Sequence, residues 1–106
     1  MTDINNLRAE ILNRLSHVID PETGADVVRM RLIEDLAVDE AGRVVYKFRP
    51  SSPLCPLAVS LAMAIGEAVA RTPGVTGQEM EVVDYIKAAE LTALMRQIFE
   101  NGKREA

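Results

Sequence analysis

The sequence predicts an α+β fold: a small mixed sheet of three to four strands, with helices mainly on one face, in the order helix, strand, strand, helix, strand, helix. Three observations predict it. Apolar residues recur every three or four positions in three separate stretches, as on amphipathic helices. Between the first two stretches the period drops to two, as in strands with one buried face. A further strand follows the second helix, and such a crossover sets its two strands parallel. The chain has 106 residues, 48% of them hydrophobic, which suffices for one core and is too short for two. A single domain over 1–106 is expected.

In the first helix, Ile4, Leu7, Ile11, Leu15 and Val18 share a face, and Leu12 and Ile19 widen the stripe. Asp20-Pro21 is expected to end it, because proline lacks an amide proton and disfavours helical angles in the residue before it. Glu22, Thr23 and Gly24 continue as a loop. From Val27 the reading changes to strand. Val28, Met30, Leu32, Leu36 and Val38 fall on one parity, broken at Glu34. After Asp39-Glu40-Ala41-Gly42 the alternation resumes in Val44, Tyr46 and Phe48, with Arg43, Lys47 and Arg49 on the opposite parity. The two runs read as a β-hairpin whose turn carries Asp and Gly, residues that accept unusual backbone angles.

Residues 50–56 hold three prolines and read as a loop. The second helix is expected over 56–71, with Leu57, Leu61, Ile65 and Val69 as its large apolar residues. Ala58, Ala62 and Gly66 allow a close approach to another backbone, and Thr72-Pro73-Gly74 stops the helix. A third strand is expected over 78–85, with Met80 and Val82 on one parity. Leu91, Leu94, Met95, Ile98 and Phe99 mark a final helix over 87–101, ended by Asn101-Gly102 and followed by a charged tail at 103–106.

Twelve basic residues against sixteen acidic ones leave a net charge of −4. A nucleic-acid-binding domain is expected to be basic, with clustered Lys and Arg, so that class is set aside. A single cysteine excludes an intrachain disulfide. No apolar run approaches the ~20 residues of a membrane span, and no signal-peptide core is visible. A cytoplasmic protein in a reducing compartment, without membrane contact, is expected.

Cys55 is the residue with chemistry to offer. Proline is favoured in the first position of a helix, so Pro56 is expected to make Cys55 the N-cap of the second helix. Free helix amides and the helix dipole then favour the thiolate, the form that attacks electrophiles and binds metals. A free cysteine is also a small hydrophobe at home in a core, and both readings stand. Ser51 and Ser52 can hydrogen-bond near the sulfur or simply solvate the loop. Asp20 and Glu22 flank Pro21 as a hard-ligand pair or proton acceptor, though an acidic turn is the commoner meaning. His17, the only histidine, falls away from the apolar stripe and reads as solvent-facing. Met30, Met63, Met80 and Met95 read as core filler. No zinc-ligand spacing or phosphate-binding glycine loop is present. One cysteine cannot hold an iron–sulfur cluster, which takes about four protein ligands.

Several blocks resemble a known family. Asp20-Pro21-Glu22-Thr23-Gly24, followed by Met30-Arg31-Leu32-Ile33, resembles its Asp-Pro-Glu and Leu-Gly-Leu-Ile signature. Ser51-Ser52-Pro53-Leu54-Cys55-Pro56-Leu57 resembles its Thr-Ser-Pro-Gly-Cys-Pro-Leu segment, and Thr72-Pro73-Gly74-Val75 its Pro-Gly-Val. This is the metal–sulfur cluster biosynthesis family, which includes the bacterial SufT and PaaD proteins and the eukaryotic cytosolic iron–sulfur targeting factors. The resemblance spans about 12–83. Arg31 and Leu54 stand where the family has glycine, and Asp84-Tyr85-Ile86-Lys87 replaces its Asp-Pro-x-Trp ending. The cysteines that PaaD-type proteins carry near their C-terminus are absent.

The resemblance implies an accessory or carrier factor in iron–sulfur cluster assembly or insertion, rather than a turnover enzyme. By position, Cys55 is its reactive residue and its contact to iron or cluster, with Asp20, Glu22 and Ser51 shaping the site. Assembly machinery or apo-client proteins are the implied partners. One thiol per chain makes a homodimer the expected form if a cluster is held. Two other classes stay open. One is a metal-free adaptor that docks a partner on Leu91, Leu94, Ile98 and Phe99. The other is a thiol-dependent redox enzyme.

Overall fold

Six elements follow in the expected order in the computed structural model, which describes residues 3–104. The first helix, α1 (Ile4–Leu15), is capped by Asp3, whose Oδ1 accepts from the amides of Asn5 (3.1 Å) and Asn6 (3.2 Å). It buries Leu7, Ile11 and Leu15, as its stripe requires. It stops a full turn before the Asp20-Pro21 signal. The amides of His17 and Val18 reach back only three residues, to Arg14 and Leu15, which tightens the chain out of the helix. Ile19 thus leaves the stripe: it is exposed and bridges Asp26.

Residues 27–31, expected as strand, form a helical turn instead. Asp26 Oδ2 accepts from the Arg29 amide at 2.9 Å, and the Asp26 carbonyl accepts from Met30. A local carboxylate cap thus outcompetes the period-two pattern. Arg31 ends the turn at φ 60°. The strand proper, β1 (Ile33–Val38), pairs antiparallel with β2 (Arg43–Phe48). The register shifts between Glu34 and Ala37, and Asp35 sits at φ 54°. The break at Glu34 is therefore a β-bulge. Asp39 holds the hairpin turn by accepting from the amides of Ala41 and Arg43, both at 2.9 Å.

From β2 the chain crosses through α2 (Ala58–Ala70) into β3 (Gly77–Val82), which runs parallel to β2, giving the sheet order β1-β2-β3. β3 ends three residues earlier than expected. Val44, Tyr46, Phe48, Met80 and Val82 point into the core and meet Leu61, Ile65 and Val69 of α2. Tyr46 donates from its hydroxyl to Gln78 Oε1 (2.7 Å), and Gln78 Nε2 donates to the Gly66 carbonyl (2.8 Å). Burial pushes the Tyr46 phenol pKa far up, so the ring stays a neutral donor.

The last helix, α3 (Ala88–Arg104), buries Leu91 and Met95 and lays Phe99 on α2 at Gly66, where an added Cβ would lie 2.7 Å from the ring. Thr92 Oγ1 accepts from the Val82 amide of β3 at 2.9 Å. At the opposite edge of the sheet, Arg8 of α1 donates to the Leu36 carbonyl of β1 at 3.3 Å. Asn101-Gly102 does not end α3, because a single glycine costs a helix only about 1 kcal/mol. The expected tail thus begins inside the helix, and 105–106 lie outside the described residues. Met80 and Met95 are core filler as expected. Met63 is not: it faces outward from α2, 49% exposed. Met30 is half-buried, its sulfur accepting from Thr23 Oγ1 at 3.2 Å. Among the described residues, no helix is long and apolar enough to cross a membrane.

Candidate functional site

Topology gathers the expected site residues at one end of the sheet. β1 starts where β2 ends, since Ile33 pairs with Phe48. β3 ends there too, since Val82 pairs with Phe48 in the parallel register. Three connections meet at this end: 16–32, 49–57 and 83–87. Backbone bonds tie them together. Arg49 donates its amide to Leu32 (2.8 Å), Val83 to Phe48 (3.0 Å) and Ile86 to Pro53 (2.9 Å). The Arg49 guanidinium adds ion pairs to Glu34 (3.2 Å) and Asp84 (3.0 Å).

Cys55 is not the N-cap of α2. That position is Leu57, at φ −99° and ψ 7°, with no side-chain cap. Residues 55–58 form a separate turn, in which the Ala58 amide donates to the Cys55 carbonyl at 3.3 Å. The Cys55 amide is spent on the Ser52 carbonyl at 3.1 Å. The preference of proline for the first helical position loses here to that turn, and the capping argument for a thiolate loses its premise. The side chain of Cys55 is 3% exposed and belongs to the core cluster with Phe48 and Leu61.

Around it, Ser51 to Leu54 and Pro56 are exposed. Ser52 Oγ accepts from the Leu54 amide at 3.2 Å, which stiffens the turn. Ser51, expected near the sulfur, is exposed with no side-chain hydrogen bond recorded among the described residues. His17 is solvent-facing as read, its Nδ1 2.9 Å from the Asn13 carbonyl.

Asp20 is the unexpected member. An acidic turn would place it in water, yet it is 1% exposed. Its Oδ1 accepts from the Glu22 amide at 2.9 Å, and its own backbone closes the 20–25 loop through Ala25 and Gly24. Its Oδ2 is buried with no hydrogen-bond partner. A buried carboxylate oxygen without a donor is costly, so this group is not explained by the loop alone. Residue type in a short acidic motif points to Asp20 but carries no signal of its burial. Glu22 is exposed on the same loop.

Among the described residues, no three His, Cys, Asp or Glu side chains come together as a metal-ligand group. Cys55, Asp20 and Glu22 share an end of the fold without forming a cage. A cluster held by the described residues of this chain alone does not fit that donor set. A groove of about 720 Å³ lies elsewhere, between α2, α3 and β3. Met63, Gly66, Phe99, Gln78 and Arg96 contribute to it, and Cys55 does not. Sequence reasoning missed this groove, whose one sequence signal was Met63 lying off the apolar stripe of its helix.

Comparison with known proteins agrees with this architecture. Residues 8–82 match the model of the family described as iron-sulfur cluster assembly protein. An uncharacterized protein of Methanocaldococcus jannaschii is 31% identical over 90 residues, 85% of this chain and 95% of that one. The Fe-S protein maturation auxiliary factor YitW of Bacillus subtilis is 34% identical over 77 residues, 73% of this chain and 76% of YitW. A crystal structure of a domain of unknown function, DUF59, from Bacillus anthracis superimposes with a TM-score of 0.69 at 29% identity, covering 74% of this chain and 76% of that one. The match takes in the Asp20 loop, the Cys55 loop and all three strands, and the chain belongs to the iron-sulfur cluster assembly protein family.

Proposed function

We propose that this chain is an accessory factor in iron–sulfur cluster assembly or insertion, and that Cys55 is the residue through which it engages iron, cluster or an acceptor protein. The observation that carries the reading is the convergence, at one end of the sheet, of the Cys55 turn and the loop that buries Asp20. The cluster is cargo in this reading. A single thiol leaves most of its coordination sphere to other molecules.

Cys55 is buried, so its sulfur meets iron only when the 51–57 turn shifts. The bonds at stake in such a shift include Cys55 amide to Ser52, Leu54 amide to Ser52 Oγ, Ile86 amide to Pro53 and Ala58 amide to the Cys55 carbonyl. Asp20 and Glu22 supply acceptors at the same end. The two other readings lose support. The adaptor reading needs Leu91, Leu94, Ile98 and Phe99 for a partner, but Leu91 is buried, Ile98 and Phe99 pack against the core, and Leu94 alone of the four is exposed. A thiol enzyme needs an accessible, activated sulfur, and Cys55 neither caps α2 nor reaches the surface.

The test is complementation. Cells lacking the chain are expected to lose activity of a cluster-dependent dehydratase, to regain it with the wild type, and to fail with Cys55→Ala. Full rescue by Cys55→Ala removes the role of the cysteine. No defect in the deletion strain removes the function.

A further inference from the structure

The 51–57 turn is built as a flap. It is anchored at buried Pro50 and buried Ala58, and between them Cys55 alone is fully buried. Ser51 to Leu54 and Pro56 lie outward, so lifting the turn uncovers the sulfur and little else. Within the flap, Ser52 accepts two local bonds, from the amides of Leu54 and Cys55. Those bonds shape the turn but do not fasten it to the body of the protein. Among the described residues, one hydrogen bond ties 50–56 to a distant part of the chain: the Ile86 amide donates to the Pro53 carbonyl at 2.9 Å.

Ile86 belongs to a strap, 83–87, that runs from β3 to α3. One end is fixed where the Val83 amide donates to the Phe48 carbonyl at 3.0 Å, the other by buried Leu91 at the start of α3. Between them Asp84 bends the strap at φ 53°, an angle that residues other than glycine rarely take. Its carboxylate meets Arg49 Nε at 3.0 Å. Arg49 is itself anchored on the β1 side, by its amide on the Leu32 carbonyl and by its guanidinium on Glu34. We propose that this strap, fastened by the Arg49–Asp84 ion pair, holds the flap shut and gates the access of Cys55 to iron or an acceptor protein. The inference rests on the function proposed above and supplies the regulation of that site. The ion pair is exposed, so it is weak, salt screens it, and releasing it leaves the core folded. The opening is local: it gives up the Ile86–Pro53 bond and the burial of one small side chain.

The experiment treats the purified full chain with N-ethylmaleimide, a neutral reagent, and follows modification of Cys55, its single thiol, by mass. Hydrogen exchange of the Ile86 amide is followed in parallel by NMR, which distinguishes opening of the strap from altered ionisation of the thiol. Asp84→Asn removes the charge with a residue that tolerates left-handed angles, and Arg49→Gln removes the opposite charge. Each is expected to raise both rates about threefold or more while keeping the thermal midpoint of the wild type. Glu34→Gln removes the other partner of Arg49, away from the strap, and is expected to change neither rate. Raising sodium chloride from about 0.05 to about 0.5 M is expected to speed both rates in the wild type and not in Asp84→Asn. Unchanged rates in Asp84→Asn, equal acceleration by Glu34→Gln, or a faster thiol with an unmoved Ile86 amide overturn the gate. The salt arm needs no substitution, and a wild type that does not respond to salt overturns the gate whatever the variants do. If the gate fails and Cys55→Ala abolishes rescue of the dehydratase, the proposed function stands. If the rates respond as expected and Cys55→Ala rescues fully, the strap still controls the thiol and the iron–sulfur role of the cysteine falls.

Discussion

The two ends of the sheet are built by opposite means. At the hairpin end the connections are short and lock into each other. The Thr76 amide donates to the Gly42 carbonyl at 2.9 Å, and Thr76 Oγ1 donates to the Ala41 carbonyl at 2.8 Å. Gly42, at φ 86°, lies so close to Gly74 that an added Cβ would meet its carbonyl oxygen. At the cysteine end two of the three connections, 16–32 and 49–57, are longer, and the fold leaves groups unspent: a buried Asp20 oxygen without a donor, and exposed Leu54 and Ile86. One end is consumed by its own backbone complementarity. The other keeps side chains in reserve, which is what a working surface requires.

Left-handed backbone sharpens the contrast. At the hairpin end it falls on Gly42 and Gly74, where glycine costs nothing. At the cysteine end it also falls on Arg31 and Asp84, which are not glycine. The largest predicted effect is therefore Gly42→Ala. It forces a methyl against the Gly74 carbonyl at a left-handed angle and is expected to cost about 3 kcal/mol or more in urea unfolding. A loss below about 1 kcal/mol would show that the hairpin end has slack and break the contrast.

Asp20→Asn is the middle case. Asn keeps the side-chain size and an oxygen for the Glu22 amide but buries an NH2 where Oδ2 has no partner, so a loss of about 1–2 kcal/mol in urea unfolding is expected. Rescue of the cluster-dependent dehydratase is expected to fall. A large stability loss with rescue intact would make Asp20 a structural residue, like those of the hairpin end.

Arg31→Gly is the smallest. It relieves φ 60° and is expected to gain roughly 0.5–1 kcal/mol in the same unfolding measurement. A loss instead would mean that the exposed arginine holds the 16–32 connection in place.

What could be read from the sequence was mostly which face a residue takes. Leu7, Ile11 and Leu15 on α1, Val44, Tyr46 and Phe48 on β2, and Leu91 and Met95 on α3 are buried as their spacing demands. That spacing does not say where an element stops. Asp26 capped a turn inside an expected strand, Ser16 closed α1 early, and Leu57 displaced Cys55 from the helix start. Each outcome depended on a local hydrogen bond competing with a longer pattern. The candidate site was legible as residue types in short motifs, and Cys55, Asp20, Glu22 and Ser51 do come to one end. Which of them are buried was not legible, because that is decided by connections distant in sequence. Leu54 and Ile86 stood out only as departures from a family pattern, and the structure shows that both are exposed on neighbouring loops.

The acceptance of the Val82 amide by Thr92, described above as a detail of helix packing, bears on how this molecule meets others. An outer strand with unmet amides recruits strands from other chains. Here α3 occupies the outer side of β3. The outer side of β1 is bent by its bulge, and Arg8 engages its Leu36 carbonyl. Sheet extension, the common route to fibres and to strand-borrowing complexes, is thereby discouraged on both flanks. Recognition is left to side chains at the ends, where it can be specific and can be undone.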